Sequence, residues 1–322
     1  MSQREDETVT VVVPAWNAAA TLEVALASVA AQTRLPDAVV VVDDASTDAT
    51  ASIAQSFWSA SVTLTVIELD KNGGCAGARA HAIESATTDL IVLLDADDSW
   101  RPVHLAELMA ARAESGVGIV SPNAQFWDPA RGVGRDTYRD VVAVPPVAEQ
   151  PDDILRRDFV FIGSMFERAL YERAGGYRPE FEGAENWDLW IRMIMAGGRV
   201  TGVEEPTYLY RVSDSSLSQS PAAPKAAAAL FDDVCATIPV GDPRHAIAER
   251  TRREMHARLE LFLAYEAARA GNASAARRHA LAASHGPRAV RARAAALLCA
   301  PGAARRWRDR AVRNRRAAAV VR

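Results

Sequence analysis

The sequence predicts an α/β protein, an open twisted sheet flanked by helices, followed by a C-terminal α-helical region. Two observations predict the sheet and a third the helical region. Short aliphatic runs alternate with helix-period segments at a repeat of about 25–30 residues, the mark of βαβ units with right-handed crossovers. One run, Leu90 to Leu94, is apolar at every position, as in a strand buried on both faces. Beyond about residue 225 the composition shifts to Ala and Arg, with helical stripes and no strand signal. The expected division is therefore 1–224 and 225–322.

Taken in order, Val9 to Val13 is a β-branched run ended by Pro14 and reads as the first strand. Leu22, Leu26 and Val29 fall at helical spacing within 18–32. Ala38 to Val42 is the second strand, closed by Asp43 and Asp44, and Ser46-Thr47-Asp48 signals a helix start before 49–57. Val62 to Leu69 is a third strand, Lys71 to Gly74 a turn, and 77–85 a helix leading into Leu90 to Leu94. Residues 121–160 are less regular and read as strands with a mobile loop. A short helix within 162–177 ends at Gly175-Gly176, a stronger one runs from Trp187 to Met195, and Tyr208 to Arg211 reads as a last strand. A polar loop, 213–220, leads to a boundary at Pro221 to Pro224. Met255, Leu259, Phe262 and Leu263 then form a helical stripe, followed by two Ala-rich helices on either side of His285-Gly286-Pro287.

Charge is strongly asymmetric: residues 1–239 carry a net −17 and residues 240–322 a net +13. A basic tail on an acidic body fits an anionic membrane surface or an internal match. The tail segment Arg305 to Arg316 has a single aromatic, Trp307, and no recognisable nucleic-acid module, so no nucleic-acid partner is expected. Cys75, Cys235 and Cys299 lack metal-ligand spacing and point to free thiols in a reducing compartment. A polar start, an apolar run broken by Pro14 and the lack of any span-length apolar stretch give a cytoplasmic expectation, with a peripheral place at the inner face of the membrane open to it.

The chemistry concentrates at strand ends. In a strand, i and i+2 share a face, so Asp95 and Asp97, with Asp98 beside them, can converge after Leu90 to Leu94. Neighbouring like charges favour a bound cation, and oxygen ligands suit Mg²⁺ or Mn²⁺; an acidic turn capping the next helix is the alternative. Ligands of open α/β sheets bind at the carboxyl ends of the strands. There the sequence places Trp16 and Asn17, Asp43 and Asp44, and the turn Asn72-Gly73-Gly74, with Arg79 shortly after. An aromatic plate, carboxylates and a cation suit a nucleoside diphosphate. No P-loop and no Gly-x-Gly-x-x-Gly is present.

These markers together resemble the family 2 glycosyltransferases of the GT-A fold. The resemblance rests on Val-Val-Val-Pro-Ala-Trp-Asn at 11–17, Val-Val-Asp-Asp-Ala-Ser-Thr-Asp-Ala-Thr at 41–50 and Asn-Gly-Gly with Ala78-Arg79. It continues through Leu-Asp-Ala-Asp-Asp at 94–98, Glu-Asn-Trp-Asp-Leu-Trp at 185–190 and Tyr-Arg-Val-Ser with Ser216 and Ser218. It spans about 9–220 and leaves the tail outside. It implies an inverting, metal-dependent transfer from a nucleotide-diphosphate sugar to a glycan or lipid-linked acceptor in cell-surface polysaccharide or glycoconjugate assembly. It also implies donor contacts from Pro14, Trp16, Asn17, Asp43, Asp44, Asn72, Gly73, Arg79 and Asp95, with Trp16 stacking on the base and Asp44 accepting from its ring N–H. Asp97 would be the direct metal ligand, with Asp95 on the ribose or metal and Asp98 in support. The family's acidic pair reads Glu185-Asn186 here, so the base falls to Glu185 or Asp188. Asn186 cannot act as a base, which keeps a nucleotide-sugar-binding protein as the alternative. Ser213 stands where some relatives offer a His to the metal.

Overall fold

The expected strands β1 (Val9–Ala15), β2 (Ala38–Asp43), β3 (Leu64–Glu68) and β4 (Leu90–Leu93) all form, and all are parallel, in the order β3-β2-β1-β4. The computed structural model describes residues 7–57, 62–128, 132–212 and 222–299, in two compact units. Calls on 213–221 and on the basic terminus, including Ser213, Ser216, Ser218 and Trp307, lie outside the described residues. In the first unit, helices α1 (Leu22–Ala30), α2 (Thr50–Ser56) and α3 (Gly74–Ser85) connect the parallel strands. Val11 of β1 pairs with Val39 on one side and Val92 on the other, and these side chains are buried. Each such side chain contributes roughly 1.5–3 kcal/mol of burial free energy.

Past β4 the sheet is mixed, which the repeat of parallel units did not predict. The remaining strands are β5 (Ser99–Trp100), β6 (Ile119–Asp128), β7 (Gly132–Thr137), β8 (Met165–Glu167) and β9 (Val200–Arg211). The full order is β3-β2-β1-β4-β8-β6-β9-β5, with β7 as a hairpin on β6. β8 runs antiparallel to both β4 and β6, β6 lies parallel to β9, and β5 pairs antiparallel with β9. β5 and β8 are two and three residues long, too short to carry a period of their own. β9 extends well upstream of the expected Tyr208.

Helix α4 (His104–Ser115) follows β5, α5 (Gln150–Asp153) and α6 (Arg168–Arg173) are short, and α7 (Glu185–Met195) buries Trp190 and Ile194. The second unit holds α8 (Ala222–Thr237), α9 (Pro243–Arg269), α10 (Ala273–Ala283) and α11 (Arg288–Cys299). Asp242 caps α9 by accepting from the Arg244 N–H, with Pro243 at the first helical position. Gly271, at φ 76°, ends α9 in the left-handed region that favours glycine. The core face of α9 is Ala257, Leu261, Ala264 and Tyr265, packed with Ala280, Ala283 and Ala294. Of the expected stripe, only Met255 is buried. Alanines that let helices approach closely do not stand out in a hydropathy pattern, so the buried face of α9 differs from the expected stripe.

Candidate functional site

The crevice opens where β1 parts from its neighbour. Pairing of β1 with β4 ends at Val12, while pairing with β2 continues to Ala15 opposite Asp43. Pro14 has no N–H to extend a ladder and sits just past that point. Beyond it Trp16 stands 59% exposed, an aromatic plate with a free face. Asn17 fastens this loop to the one after β2: its N–H donates to Ser46 Oγ at 2.8 Å and its Oδ1 accepts from the Thr47 N–H at 2.9 Å. Asn17 and Ala45 both have positive φ, 48° and 57°, which non-glycine residues rarely adopt. Two strained residues in facing loops mark a functional locus.

Asp43 and Asp44 are both buried. Asp43 Oδ2 accepts from the Ser46 N–H at 3.3 Å, while its Oδ1 is buried without any donor in the protein. A buried carboxylate oxygen left unpaired costs about 1–3 kcal/mol or more, so this atom is set for a ligand N–H or O–H. Asp44 Oδ1 accepts from the Gly73 N–H at 2.7 Å, and Asn72 Nδ2 donates to the Asp44 carbonyl at 3.1 Å. The Asn72–Gly74 turn is thus bolted to the end of β2. The helix-start role belongs to Asp48, which accepts from the Thr50 N–H.

Arg79, on α3, is 1% exposed. Its Nη2 donates to Asp95 Oδ1 at 2.7 Å, and its Nη1 donates to Glu185 Oε1 and Asn186 Oδ1, each at 3.2 Å. One guanidinium therefore joins the turn after β4 to the start of α7. Helix α3 begins three residues earlier than expected because Glu182 caps it: its two oxygens accept from the Cys75 and Ala76 N–H groups at 2.9 and 3.1 Å. Gly74, at φ 77°, leaves room for that carboxylate, which a Cβ there would meet at 3.0 Å. Nothing in the sequence pattern singled out Glu182.

The three aspartates after β4 have different surroundings. Asp97 faces solvent. Partial desolvation on its inner side, then the charge of Asp95, push its carboxyl up to about 6. Asp98 is buried, accepting from the Tyr208 hydroxyl at 2.8 Å and from the Arg211 N–H at 2.6 Å. Burial, then Asp95 and Asp97, hold it well above the usual carboxylate range. With both oxygens engaged, Asp98 braces the turn against β9. Tyr208 is a second brace that the sequence showed only as part of a strand; the Asp95 N–H donates to its hydroxyl at 3.4 Å.

At the start of α7, Glu185 is buried and both its oxygens accept: Oε1 from Arg79 and from Asn186 Nδ2 at 2.8 Å, Oε2 from the Gly183 N–H at 2.6 Å. Asn186 Oδ1 also accepts from the Tyr177 hydroxyl at 3.0 Å. Asp188, the other candidate base, is 1% exposed and ion-paired with both Arg178 and Arg192. Both its oxygens brace α7 through those two arginines. The residues placed in one region are thus Asp95, Arg79, Glu185 and Asn186, with Asp44 and Gly73 joined through α3.

Among the described residues, no three His, Cys, Asp or Glu side chains converge on a cation position. Asp95 and Asp97 nonetheless suit a hard divalent ion, which usually keeps several ligands from water or substrate phosphate. Asp97 has no ion pair among the described residues, although the charge of Arg211 offsets part of the rise in its carboxyl. No described helix is long and apolar enough to cross a membrane.

Comparison with known proteins gives the family. The sequence profile "Glycosyl transferase family 2" matches residues 10–172. The succinoglycan biosynthesis protein ExoU of Rhizobium meliloti (strain 1021) is 31% identical over 223 residues, 66% of this chain and 64% of that protein, so the match spans less than two thirds of the relative's length. Among solved structures, the mannosyltransferase PcManGT of Pyrobaculum calidifontis, in complex with GDP-Man and Mn²⁺, is 26% identical with a TM-score of 0.58, covering 94% of this chain and 83% of that one. S. aureus TarS 1–349, in complex with UDP-GlcNAc, has a TM-score of 0.63 at 18% identity, over 88% of this chain and 83% of that one, and shares the fold. The strand-end crevice lies within the matched residues for Trp16, Asp43, Asp44, Arg79 and Asp95 to Asp98 alike, and on this footing the chain belongs to glycosyl transferase family 2.

Proposed function

We propose that this protein transfers a sugar from a nucleoside-diphosphate sugar to a hydroxyl acceptor, with inversion and with a divalent cation, in cell-surface polysaccharide assembly. The observation that carries it is the pairing of an exposed Trp16 with the orphaned buried Oδ1 of Asp43, beside an Arg79-linked carboxylate set. Trp16 stacks on the base, Asp43 and Asp44 receive nucleoside N–H or O–H groups, and Asp95 and Asp97 face the diphosphate end. When bound there, Mg²⁺ or Mn²⁺ would neutralise the diphosphate as a Lewis acid, held by Asp97 with Asp95 beside it. Asp98 and Tyr208 fix the height of that turn, and Arg79 keeps Asp95 and the start of α7 in register. The succinoglycan relative and the nucleotide-sugar ligands of the structural neighbours support the substrate class. The acceptor in this reading is a glycan or a lipid-linked glycan, and the basic terminus favours a cytoplasmic place against anionic lipid.

The test is ligand stabilisation with UDP-GlcNAc, UDP-glucose and GDP-mannose, each with Mn²⁺ or EDTA. Ligand at 100 times its Kd raises stability by about 2.7 kcal/mol. Stabilisation by one sugar nucleotide, lost in EDTA, is expected; none with any donor refutes the reading. Asn186 favours a second reading, a nucleotide-sugar-binding protein without turnover, because its amide is held by Arg79 and Tyr177 and accepts no proton. Binding without release of nucleoside diphosphate identifies that case.

A further inference from the structure

The chain entering α7 is fastened to α3 at two points about one helical turn apart. On the first turn of α3, Glu182 accepts from the Cys75 and Ala76 N–H groups at 2.9 and 3.1 Å. Further along the same helix, Arg79 Nη1 donates to Glu185 Oε1 and Asn186 Oδ1, each at 3.2 Å. Cys75 and Arg79 are i and i+4, which share a helix face, so the stretch from Glu182 to Asn186 lies along that face. Between the two fastenings is Gly183, whose φ of 97° is open to glycine and strained for other residues. The bend it makes aims its N–H at Glu185 Oε2, at 2.6 Å.

The two oxygens of Glu185 are not equally engaged. Oε1 accepts from Arg79 and from Asn186 Nδ2, whereas among the described residues Oε2 accepts from Gly183 alone. A carboxylate oxygen has two lone pairs, so Oε2 keeps one for an incoming O–H. The Gly183 N–H sets where that lone pair points, and Gly183 is the neighbour of Glu182. A carboxylate at 182 suits its anchor, because two N–H donors meet two acceptor oxygens at the positive end of a helix. The donor side is tied separately: Asp44 accepts from the Gly73 N–H, and its carbonyl accepts from Asn72 Nδ2. Loosening Glu182 therefore leaves the nucleoside-facing turn attached to β2.

We infer that Glu182 is a positioning residue for sugar transfer: anchored on the first turn of α3, it holds Gly183 so that the remaining lone pair of Glu185 Oε2 faces the acceptor hydroxyl. This inference rests on the glycosyl-transfer reading, with Glu185 at the start of α7 as proton acceptor. In that step the acceptor O–H proton passes to Glu185, and the acceptor oxygen forms its bond to the anomeric carbon. The anomeric carbon–oxygen bond to the diphosphate breaks, its electron pair leaving with the nucleoside diphosphate.

The experiment compares the full chain with its Glu182→Gln and Glu182→Ala variants. The donors are UDP-GlcNAc, UDP-glucose and GDP-mannose with Mn²⁺, water standing in for the acceptor. Calorimetry reads donor affinity, chromatography reads nucleoside diphosphate release at saturating donor, and circular dichroism gives the folded fraction. Amide hydrogen exchange follows residues 183–186. A displacement of about 1 Å can cost about 10²-fold in rate, so Glu182→Ala should release about 10–10²-fold more slowly per folded molecule, with donor affinity within about threefold. Glu182→Gln keeps one acceptor oxygen and should fall between wild type and Glu182→Ala. Exchange at 183–186 should quicken in both variants.

A cap that serves stability alone lowers the urea midpoint and leaves release per folded molecule unchanged. Release within about threefold of wild type in both variants therefore overturns the inference. Slower release matched by an equal loss of donor affinity also overturns it, and so does slower release with unchanged exchange at 183–186. In each of these cases wild type still turns over, so the transferase reading stands. Wild type that binds a donor and releases no nucleoside diphosphate overturns the transferase reading and the positioning role together, while binding of none of the three donors overturns the donor site itself.

Discussion

Arg79→Met removes a cation that joins three acidic or polar partners inside the crevice. Arg79 is 1% exposed, and the side chains it pairs with, Asp95 and Glu185, are 24% and 9% exposed. Breaking a buried ion pair by deleting one partner costs about 3–5 kcal/mol, because the surviving charge is left desolvated. Asp95 retains some contact with water, so the lower end, about 3 kcal/mol, is the expected loss. Methionine keeps most of the aliphatic volume, so little of that loss is cavity formation. Urea denaturation followed by circular dichroism reads it as a fall in midpoint at unchanged slope. Adding Glu185→Gln to Arg79→Met removes the more buried of the two stranded charges and should recover about 1–2 kcal/mol, within the usual range of coupling energies. A loss below about 1 kcal/mol in Arg79→Met, with no recovery in the double variant, refutes the view that this guanidinium holds the site together.

Asp97→Asn keeps the shape and removes a charge facing the donor, so Mn²⁺-dependent donor binding by calorimetry should weaken about tenfold or more, which is about 1.4 kcal/mol; unchanged affinity in Mn²⁺ and in EDTA refutes the metal assignment. Asp188→Asn should destabilise by about 3–5 kcal/mol, because Arg178 and Arg192 lose their shared counter-charge, and a urea midpoint equal to wild type refutes the bracing role. His104 is fully buried, with Nδ1 on Thr207 Oγ1 and Nε2 unpaired, and burial pushes it down to about 3. The unfolded chain therefore binds one more proton than the folded one between pH 3 and 6.5, and stability is lost as pH falls through that window, by about 1.4 kcal/mol per unit. His104→Gln should flatten that slope between pH 5 and 6; an unchanged slope refutes it.

The parallel half of the sheet was legible because each strand there is a run of buried aliphatics, and burial on both faces writes itself into every position. The same holds for Trp16, Asp43, Asp44 and Asp95 to Asp98, which lie where those runs end, so element order alone brings them to one end of the parallel strands, with Arg79 on the helix that follows β3. The antiparallel half was not legible. β5 and β8 are too short for any period, and they pair because the chain returns beside β4 and β9. The division of labour among the carboxylates was equally hidden, since composition cannot say which one meets a counter-charge. Asp188 and Glu185 read alike along the chain, yet one is locked by two arginines and the other is drawn to Arg79. Glu182 carried no motif at all; its partners, the Cys75 and Ala76 N–H groups, lie on a helix far earlier in the chain. Local hydrophobic pattern determined which segments became the sheet and which residues ended up at its edge. Only tertiary structure decided which charges are paired, because pairing depends on distances between segments that no local pattern records.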